Sequence, residues 1–329
     1  MRFQRWLWIC LLAIFLSGCG VESETSVLRL SHGLPTDHPV HLGMEYMAER
    51  LAEKSSGTLT ISIYPNQQLG SERQSLELLQ IGSLAMTKVS AAVLESFSPE
   101  ATVLTLPYLF RGREHAYTFQ DSELGREILT SSEPFRLRGL VYFDAGQRSF
   151  YTKDRPVRSP ADLAGQKIRV QLSPTAIAMV KALGGSPTPI SYGELYTALQ
   201  QGVVDGAENN PPSFYTSRHY EVCKYYTLDE HTAIPDVLII GTEAWQRLTP
   251  EQQGWLQEAA DEAVTYQRRL WQEAEQEALD AVAAAGVEII RPDKQPFIEQ
   301  TAPILESYRD QPAIYSLIER IIAMAPNEE

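Results

Sequence analysis

Strand and helix signals alternate along this chain, and their alternation restricts the fold more than any other feature. Val27–Ser31 predicts a strand, the segment from about Pro39 to Lys54 predicts an amphipathic helix, and Leu59–Tyr64 predicts a second strand. The same alternation resumes after Gly139. Because strand–helix–strand units favour mostly parallel sheets with helices on both faces, the sequence predicts an α/β protein.

The segment from Pro250 to Ala285 indicates how that α/β chain is divided. It is rich in Glu, Gln and Ala, has no proline after its first residue, and predicts one continuous helix. At 1.5 Å per residue such a helix spans roughly 50 Å, which is longer than one small domain. We therefore expect two domains with this helix lying across both; two shorter helices are the alternative.

The N-terminus predicts export. Arg2 and Arg5 precede an apolar run that ends in the motif Leu-Ser-Gly-Cys at Cys19, which is typical of a secretory signal and too short to span a membrane. The ending resembles a bacterial lipobox, so we expect residues 1–18 to be a removed signal peptide and Cys19 to carry a lipid. Residues 19–26 would be the lipidated tether. The expected location is periplasmic or extracytoplasmic, anchored to the membrane; an ordinary signal peptide containing a cysteine is the alternative.

Cysteine usage and charge narrow the function further. Once Cys10 and Cys19 are assigned to the leader, only Cys223 remains, so no intramolecular disulfide can form. The apolar context of Cys223 favours a packed side chain over a nucleophile. The net charge of −14 argues against nucleic acid as a partner and makes any basic residue inside a pocket notable.

Catalytic motifs are absent from the sequence. It has no Gly-x-Ser-x-Gly elbow, no phosphate-binding glycine loop and no His-Glu-x-x-His helix. His32, His38 and His41 straddle a turn and a helix start without the fixed spacing of a metal site. We therefore expect no enzyme activity, no metal and no cofactor, although an exported enzyme acting on sugar acids stays open as an alternative.

Arginines on predicted strands favour recognition of an anion. In Lys167–Gln171, strand alternation places Ile168 and Val170 on one face and Arg169 on the other, with Gln171. An arginine in a buried strand needs a partner, and its planar fork suits a carboxylate. Arg148 enters another strand, so two arginines could bind one carboxylate between them. A solvent-exposed or internally paired arginine is the alternative.

The segment from Ile190 to Pro212 predicts half of a small-molecule site. Helical spacing stops at Gly202, Val203-Val204 predicts a short strand, and Asn209 and Asn210 follow a turn. Polar groups at a strand end are typical of ligand sites in open α/β sheets. The asparagines could hydrogen-bond hydroxyls or a carboxylate; turn chemistry is the alternative.

Several motifs in this order and spacing, from about Leu28 to Pro292, resemble the solute-binding proteins of TRAP (tripartite ATP-independent periplasmic) transporters, in the branch that binds dicarboxylates and sugar acids. They are Ile63-Tyr-Pro-Asn-Gln-Gln-Leu-Gly70, Leu163-Ala-Gly-Gln-Lys-Ile-Arg-Val170, Thr188-Pro-Ile190 and Ala198-Leu-Gln-Gln-Gly-Val-Val-Asp-Gly-Ala-Glu-Asn209.

The resemblance implies a two-lobed periplasmic-binding-protein-like fold with hinge strands and a long helix bridging both lobes. Residues 27–145 and 235–274 would form lobe 1, and residues 146–234 and 275–329 would form lobe 2. Hinge closure would enclose the ligand between them.

The resemblance also implies roles for individual residues. Arg169 would grip the ligand carboxylate, with Arg148 and Asn209 beside it, and Asn210 would help to distinguish sugar acids. The other pocket positions fall on Ser31 or His32, Glu72, Ser90, Tyr192, Glu208 and His231.

The ligand implied is a hexuronate or related sugar acid. Members that bind acyl sugars carry an acidic residue where this chain has Ser90, which argues against a sialic-acid-like ligand. Asn209-Asn210 followed by two prolines, together with Glu72, resembles the members that bind hexuronates. A four-carbon dicarboxylate would want a second cation, for which Lys88 is the candidate.

The resemblance names the partners as well. It implies a monomer that delivers its ligand to the membrane subunits of a TRAP permease. The alternatives are a protein of the same family that binds a four-carbon dicarboxylate or 2-oxo acid, and a sensor lipoprotein on the same scaffold.

Overall fold

The computed structural model describes residues 25–326. The expected signal peptide (1–18), the expected lipidation site Cys19 and residues 20–24 of the tether lie outside the described residues. Within residues 25–326, no helix combines the length and apolarity needed to cross a bilayer.

Strands occur close to the predicted segments Val27–Ser31, Leu59–Tyr64 and Lys167–Gln171, and several further strands complete the sheets. They are β1 Ser26–Ser31, β2 Leu59–Tyr64, β3 Met86–Ser90, β4 Leu137–Phe143, β5 Arg148–Thr152, β6 Lys167–Val170, β7 Ser186–Pro189, β8 Gly206–Asn209, β9 Tyr225–Thr232, β10 Asp236–Gly241 and β11 Glu288–Ile290.

The helices fill the segments between these strands and the C-terminal part of the chain. They are α1 Pro39–Lys54, α2 Glu72–Gln80, α3 Ala91–Leu94, α4 Arg113–Gln120, α5 Glu123–Thr130, α6 Pro174–Ala182, α7 Leu195–Gln200, α8 Pro211–Thr216, α9 Thr242–Arg247, α10 Pro250–Ala284, α11 Gln295–Glu306 and α12 Pro312–Ile322. Short 3₁₀ helices occupy Pro99–Leu104, Glu133–Phe135, Pro160–Leu163, Tyr192–Glu194, His219–Glu221 and Ser307–Asp310.

Two sheets form the two lobes of this α/β fold. Lobe 1 is built on a five-stranded sheet in the order β2-β1-β3-β10-β4, and lobe 2 on a six-stranded sheet in the order β11-β9-β5-β8-β6-β7. Each sheet is parallel except for one strand, β10 in lobe 1 and β5 in lobe 2. These are the strands by which the chain enters each sheet from the other lobe. The connections between β4 and β5 and between β9 and β10 are therefore the two crossings of a hinge.

Both faces of the lobe 1 sheet are buried. Along β10, Val237 and Ile239 join the apolar cluster on one face, whereas Leu238 and Ile240 join the cluster on the other. Helices cover both faces, as a sheet with mostly parallel strands requires. The cleft between the lobes therefore lies at the strand ends, where the crossings begin.

Helix α10 is continuous, as the sequence predicts. Thr249 caps its N-terminus in a capping box with Gln252. Trp271 lies in the core of lobe 1 and Val282 lies in a core of lobe 2. One rigid element thus packs on both lobes.

Helix α12 corrects one expected boundary. Residues 275–329 were expected in lobe 2, but residues 312–322 pack on the lobe 1 core. The side chains buried there are Ile314, Leu317, Ile318 and Ile321. His115 of lobe 1 also contacts the Ile321 carbonyl oxygen at 2.8 Å. An apolar stripe on a terminal helix can be buried against either lobe, so its spacing alone does not predict which lobe it covers. We propose the other lobe boundaries as predicted, because the two crossings between the sheets support them.

Candidate functional site

The cleft between the lobes contains seven of the predicted site residues. Glu72 and Ser90 of lobe 1 and Arg148, Tyr192, Asn209 and Asn210 of lobe 2 line one cavity. Arg169 lines an adjoining cavity, which shares Glu72, Gln171 and Tyr192 with the first. His32, Glu208 and His231 line neither cavity.

The cleft is nearly closed. The two cavities have volumes of about 30 and 20 Å³, far below the several hundred Å³ of a typical ligand pocket. The Ser90 hydroxyl of lobe 1 donates to Gln171 Oε1 of lobe 2 at 3.4 Å. The Glu95 carboxylate of lobe 1 accepts from the Ser173 and Thr175 hydroxyls of lobe 2 at 2.5 and 2.6 Å. A ligand the size of a sugar acid therefore requires these contacts to open before it enters.

Arg169 is a buried cation without an acidic partner. Its strand alternates as predicted, because Ile168 and Val170 lie in the lobe 2 core while Arg169 and Gln171 face the cleft. Arg169 is 2% exposed, and no carboxylate among the described residues forms a salt bridge with it. Its Nε donates to the Ile190 carbonyl oxygen at 2.8 Å, but its buried Nη1 has no hydrogen-bond partner.

The charge on Arg169 is therefore costly unless an anion neutralises it. Burial lowers the pKa of Arg169, and the positive charge of Arg148 adds to this effect, whereas Glu208 opposes both. A buried charge that lacks a partner is unfavourable, and a carboxylate accepting from Nη1 would supply one. This is the feature that most clearly indicates a ligand.

Arg148 differs from Arg169 because it is paired internally. Its guanidinium donates to the Glu208 carboxylate through Nε and Nη2, and through Nη1 to Asn209 Oδ1 at 2.8 Å. Burial lowers the pKa of Arg148, but the adjacent Glu208 outweighs burial and the pKa is raised overall. The two arginines thus differ in charge balance, because Glu208 neutralises Arg148 whereas Arg169 has no acidic partner; that both bind one carboxylate stays a prediction.

Glu208 and His231 lie behind Arg148 and outside both cavities. The His231 ring contacts Asp229 Oδ2 through Nδ1 at 2.7 Å, and its Nε2 lies 3.5 Å from Glu208 Oε2. Burial raises the pKa of Glu208, but Arg148 and His231 outweigh it and lower the pKa to about 2. Burial lowers the pKa of His231, but Asp229 and Glu208 outweigh it and raise the pKa to about 9. Arg148, Glu208, His231 and Asp229 thus form a row of alternating positive and negative charges, and this row holds Arg148 in position.

This row of charges predicts a pH dependence of stability. The pKa of His231, about 9, exceeds the usual value of 6.5, so its stabilising contribution is complete below about pH 6.5 and is lost as the pH rises through about 9. We expect the free energy of unfolding, measured with urea, to fall more steeply between pH 6.5 and 9 in the wild type than in His231→Gln. His219, whose pKa burial lowers to about 3, stays neutral in this range, so His219→Gln should keep the wild-type slope. Equal slopes in wild type and His231→Gln would contradict this role.

His32 is occupied within lobe 1. Its Nδ1 accepts from the Leu34 backbone N–H at 3.1 Å, and its Nε2 shares a hydrogen bond with His41 Nδ1 at 2.9 Å. Burial, with Lys88 nearby, lowers the pKa of His32 to about 2, so the ring is neutral. The cleft contains its neighbours Gly33 and Leu34 instead. In residues 25–326, no group of three His, Cys, Asp or Glu side chains is arranged to hold a metal ion.

Asn209 and Asn210 line the cleft, as predicted. The strand that leads to them does not lie where the sequence predicts it. The strand is Gly206–Asn209, not Val203-Val204. A Cβ at Gly206 would lie 2.4 Å from the Tyr151 carbonyl oxygen, so only glycine allows this close strand pairing. The β-branched Val203 and Val204 favour a strand locally, but the strand forms at Gly206 because only glycine fits this close to the neighbouring strand.

Asn209 and Asn210 each use their carbonyl oxygen internally. Asn209 Oδ1 accepts from Arg148, and Asn210 Oδ1 accepts from the Ser213 backbone N–H at 2.8 Å and caps helix α8. The turn-chemistry alternative is therefore correct for the oxygen of Asn210. The Nδ2 groups of both residues have no partner among the described residues and remain as donors for a ligand.

Tyr192 forms the boundary between the two cavities. Its hydroxyl hydrogen-bonds the Ser217 hydroxyl, and its ring lies 6.0 Å from the Arg169 guanidinium carbon. The Tyr192 ring thus packs beside the unpaired guanidinium of Arg169.

Lys88, Asp236 and Gln171 join the predicted residues in the cleft. Lys88 Nζ lies 3.1 Å from both Glu72 Oε1 and Asp236 Oδ1, so the candidate second cation is already paired internally. Strand alternation places Gln171 on the face of Arg169, but Asp236 has no such signal. Its role depends on a contact with Lys88, which is far away in sequence.

Comparison with known proteins gives one consistent result. The chain matches the model of the family described as bacterial extracellular solute-binding protein, family 7, over residues 30–311. The uncharacterised YiiZ protein of Salmonella typhimurium is 39% identical over 90% of this chain and 91% of its own length. The C4-dicarboxylate-binding periplasmic protein DctP of Rhodobacter capsulatus is 32% identical over 80% of this chain and 79% of its own length.

Solved structures are similar throughout the fold. A TRAP periplasmic solute-binding protein of Bradyrhizobium, in complex with α/β-D-galacturonate, is 41% identical with a TM-score of 0.88, covering 90% of this chain and 99% of that one. Its counterpart from Anaerococcus prevotii, with bound α/β-D-glucuronate, is 36% identical with a TM-score of 0.89, covering 91% and 98%. The chain therefore belongs to bacterial extracellular solute-binding protein family 7, the family of the extracytoplasmic solute-binding components of TRAP transporters.

Proposed function

We propose that this protein captures a hexuronate in the cleft between its lobes and delivers it to the membrane subunits of a TRAP permease. One observation carries the proposal: Arg169 is buried in the cleft with an unpaired Nη1 and no acidic partner. A carboxylate accepting from Nη1 turns an unfavourable buried charge into a charge-assisted pair. The solved relatives with bound galacturonate and glucuronate support a six-carbon ligand.

The surrounding side chains suit the hydroxyls of a sugar acid. Nδ2 of Asn209 and of Asn210 can donate to ligand oxygens, and the carboxylate of Glu72 can accept from hydroxyls. The same cleft is not suited to a four-carbon dicarboxylate, because Lys88 already has two acidic partners. Binding of the ligand to the closed state would shift the population towards closure, and the permease would recognise that form.

Three further parts of the proposal concern the intact protein. We expect no bond of the ligand to be made or broken, a monomer in solution, and a lipid on Cys19 that holds the protein at the membrane. Cys19→Ser should release the protein from washed membranes; retention of this variant would contradict the anchor. Turnover of a uronate by the purified protein would contradict a binding role.

The direct test is a ligand screen by thermal shift, followed by calorimetry. D-galacturonate and D-glucuronate are compared with D-galactose, which lacks the carboxylate, and with succinate, which lacks the hydroxyls. Since a ligand that binds only the native state raises the melting temperature, we expect a shift with one or both uronates, no shift with galactose and a smaller shift with succinate. Dominant stabilisation by succinate would overturn the sugar-acid assignment in favour of the dicarboxylate alternative.

A further inference from the structure

We propose that Lys88, Glu72 and Asp236 form a charge filter that rejects a second carboxylate and thereby restricts the cleft to acids whose other end carries hydroxyls. The proposal rests on the proposed function and adds the residues that select among carboxylate ligands.

The charge filter consists of two acids around one base. Lys88 is 2% exposed, and its ammonium group lies 3.1 Å from Glu72 Oε1 and 3.1 Å from Asp236 Oδ1. With all three groups charged, the filter carries one net negative charge. Glu72 Oε1 also accepts from the Ser90 backbone N–H at 3.1 Å, which fixes its position.

The sheet of lobe 1 holds the filter in place. In the antiparallel pairing of β10 with β3, Asp236 is opposite Ser90 and Leu238 is opposite Lys88. Asp236 and Lys88 are therefore diagonal neighbours on the same face, a geometry in which a long side chain reaches its partner. Glu72 approaches from the first turn of helix α2. Because all three residues lie on regular elements, the filter is formed before a ligand arrives.

The filter and the arginines lie on opposite walls of the cleft. Lys88, Glu72 and Asp236 belong to lobe 1 and line the same cavity as Arg148 of lobe 2. On the lobe 2 side, the positive Arg148 and Arg169 line the cleft, and the positive His231 and the negative Glu208 and Asp229 lie behind them, which leaves one net positive charge. The unpaired Nη1 of Arg169 is the independent sign that an anion belongs on that wall. The two sides of the cleft thus differ in charge: the lobe 2 side suits one carboxylate, and the lobe 1 side suits uncharged hydrogen-bond donors.

This polarity distinguishes the two ends of a ligand. Glu72 Oε2 and Asp236 Oδ2 have no hydrogen-bond partner among the described residues, so they can accept from sugar hydroxyls. A second carboxylate has no proton to donate and would bring like charges together in a buried site. Burial raises the pKa of Asp236, Lys88 opposes this effect and Glu72 adds to it, so this wall already resists further negative charge.

The test compares one carboxylate with two on the same six-carbon skeleton. Calorimetry measures the affinities of the purified protein for D-galacturonate and for galactarate, which has a carboxylate at both ends. We expect the wild type to prefer galacturonate by at least about tenfold, and Asp236→Asn to reduce that preference by about tenfold. Comparing the preference between variants removes the difference in ligand shape. Asp310→Asn makes the same chemical change at an exposed position and should keep the wild-type preference.

The outcomes separate the filter from the proposed function. If the wild type binds both acids equally, the filter is wrong and the proposed function stands. If it binds neither acid, the proposed function itself fails. Should Asp236→Asn fail to fold, Glu72→Gln removes the other acid of the filter and tests the same change. Retention of the wild-type preference in a folded variant of either position would overturn the proposal.

Discussion

Arg169→Gln should abolish hexuronate binding and, without ligand, should melt at a higher temperature than the wild type. Arg169 is 2% exposed, lacks an acidic partner, and leaves Nη1 without a hydrogen bond. Glutamine removes this costly charge and can still donate to the Ile190 carbonyl oxygen that Nε now contacts. Removing one partner of a buried charged pair costs about 2–5 kcal/mol, so we expect about a hundredfold or greater loss of affinity for D-galacturonate.

Calorimetry and thermal unfolding of the same preparations measure the two effects. Lys167→Gln makes the same charge change at the exposed start of the strand and should alter neither binding nor melting temperature. An affinity of Arg169→Gln within about threefold of the wild type would contradict the role of Arg169. A drop of several degrees in its ligand-free melting temperature would contradict the claim that the charge is unpaired.

Arg148→Met should lower the free energy of unfolding by about 3–5 kcal/mol, the usual cost of leaving a buried carboxylate without its partner. The Glu208 carboxylate receives hydrogen bonds from Nε and Nη2 of Arg148, whereas its other neighbour, His231, lies 3.5 Å away. The methionine also removes the donor to Asn209 Oδ1, so we expect ligand binding to weaken as well.

The double variant Arg148→Met with Glu208→Gln isolates the electrostatic part. It removes the stranded carboxylate while His231 keeps Asp229, so most of the lost stability should return but ligand binding should not. Arg158→Met is the matched control, because its pair with Glu288 is 59% and 49% exposed and such pairs contribute less than about 1 kcal/mol. Urea unfolding measures all variants. A double variant no more stable than Arg148→Met would show that the pair with Glu208 is not what holds Arg148.

Local sequence patterns predicted much of the fold and part of the site. The period-two alternation of Lys167–Gln171 placed Arg169 on the face opposite Ile168 and Val170, because side-chain direction in a strand follows position alone, and that face borders the cleft. The absence of proline between Pro250 and the end of the helix at Ala284 predicted the continuous helix across both lobes. In each case the determining interactions are between residues close in sequence.

Contacts between distant residues account for what the sequence could not supply. Nothing near Glu208 indicates that Arg148, 60 positions earlier, neutralises it, and nothing near Asp236 indicates its contact with Lys88, 148 positions earlier. His32 followed a strand end as expected, but its ring turned to His41, nine positions away on the next helix. Burial and long-range pairing thus decided which polar residues face the cleft and which lie behind it.

The most direct test of a carboxylate held by Arg169 is a crystal structure of the protein with D-galacturonate bound. We predict a ligand carboxylate oxygen about 3 Å from Arg169 Nη1 and ring hydroxyls directed towards Glu72 and Asp236. A carboxylate bound at Lys88, with Arg169 Nη1 still unpaired, would contradict the central claim.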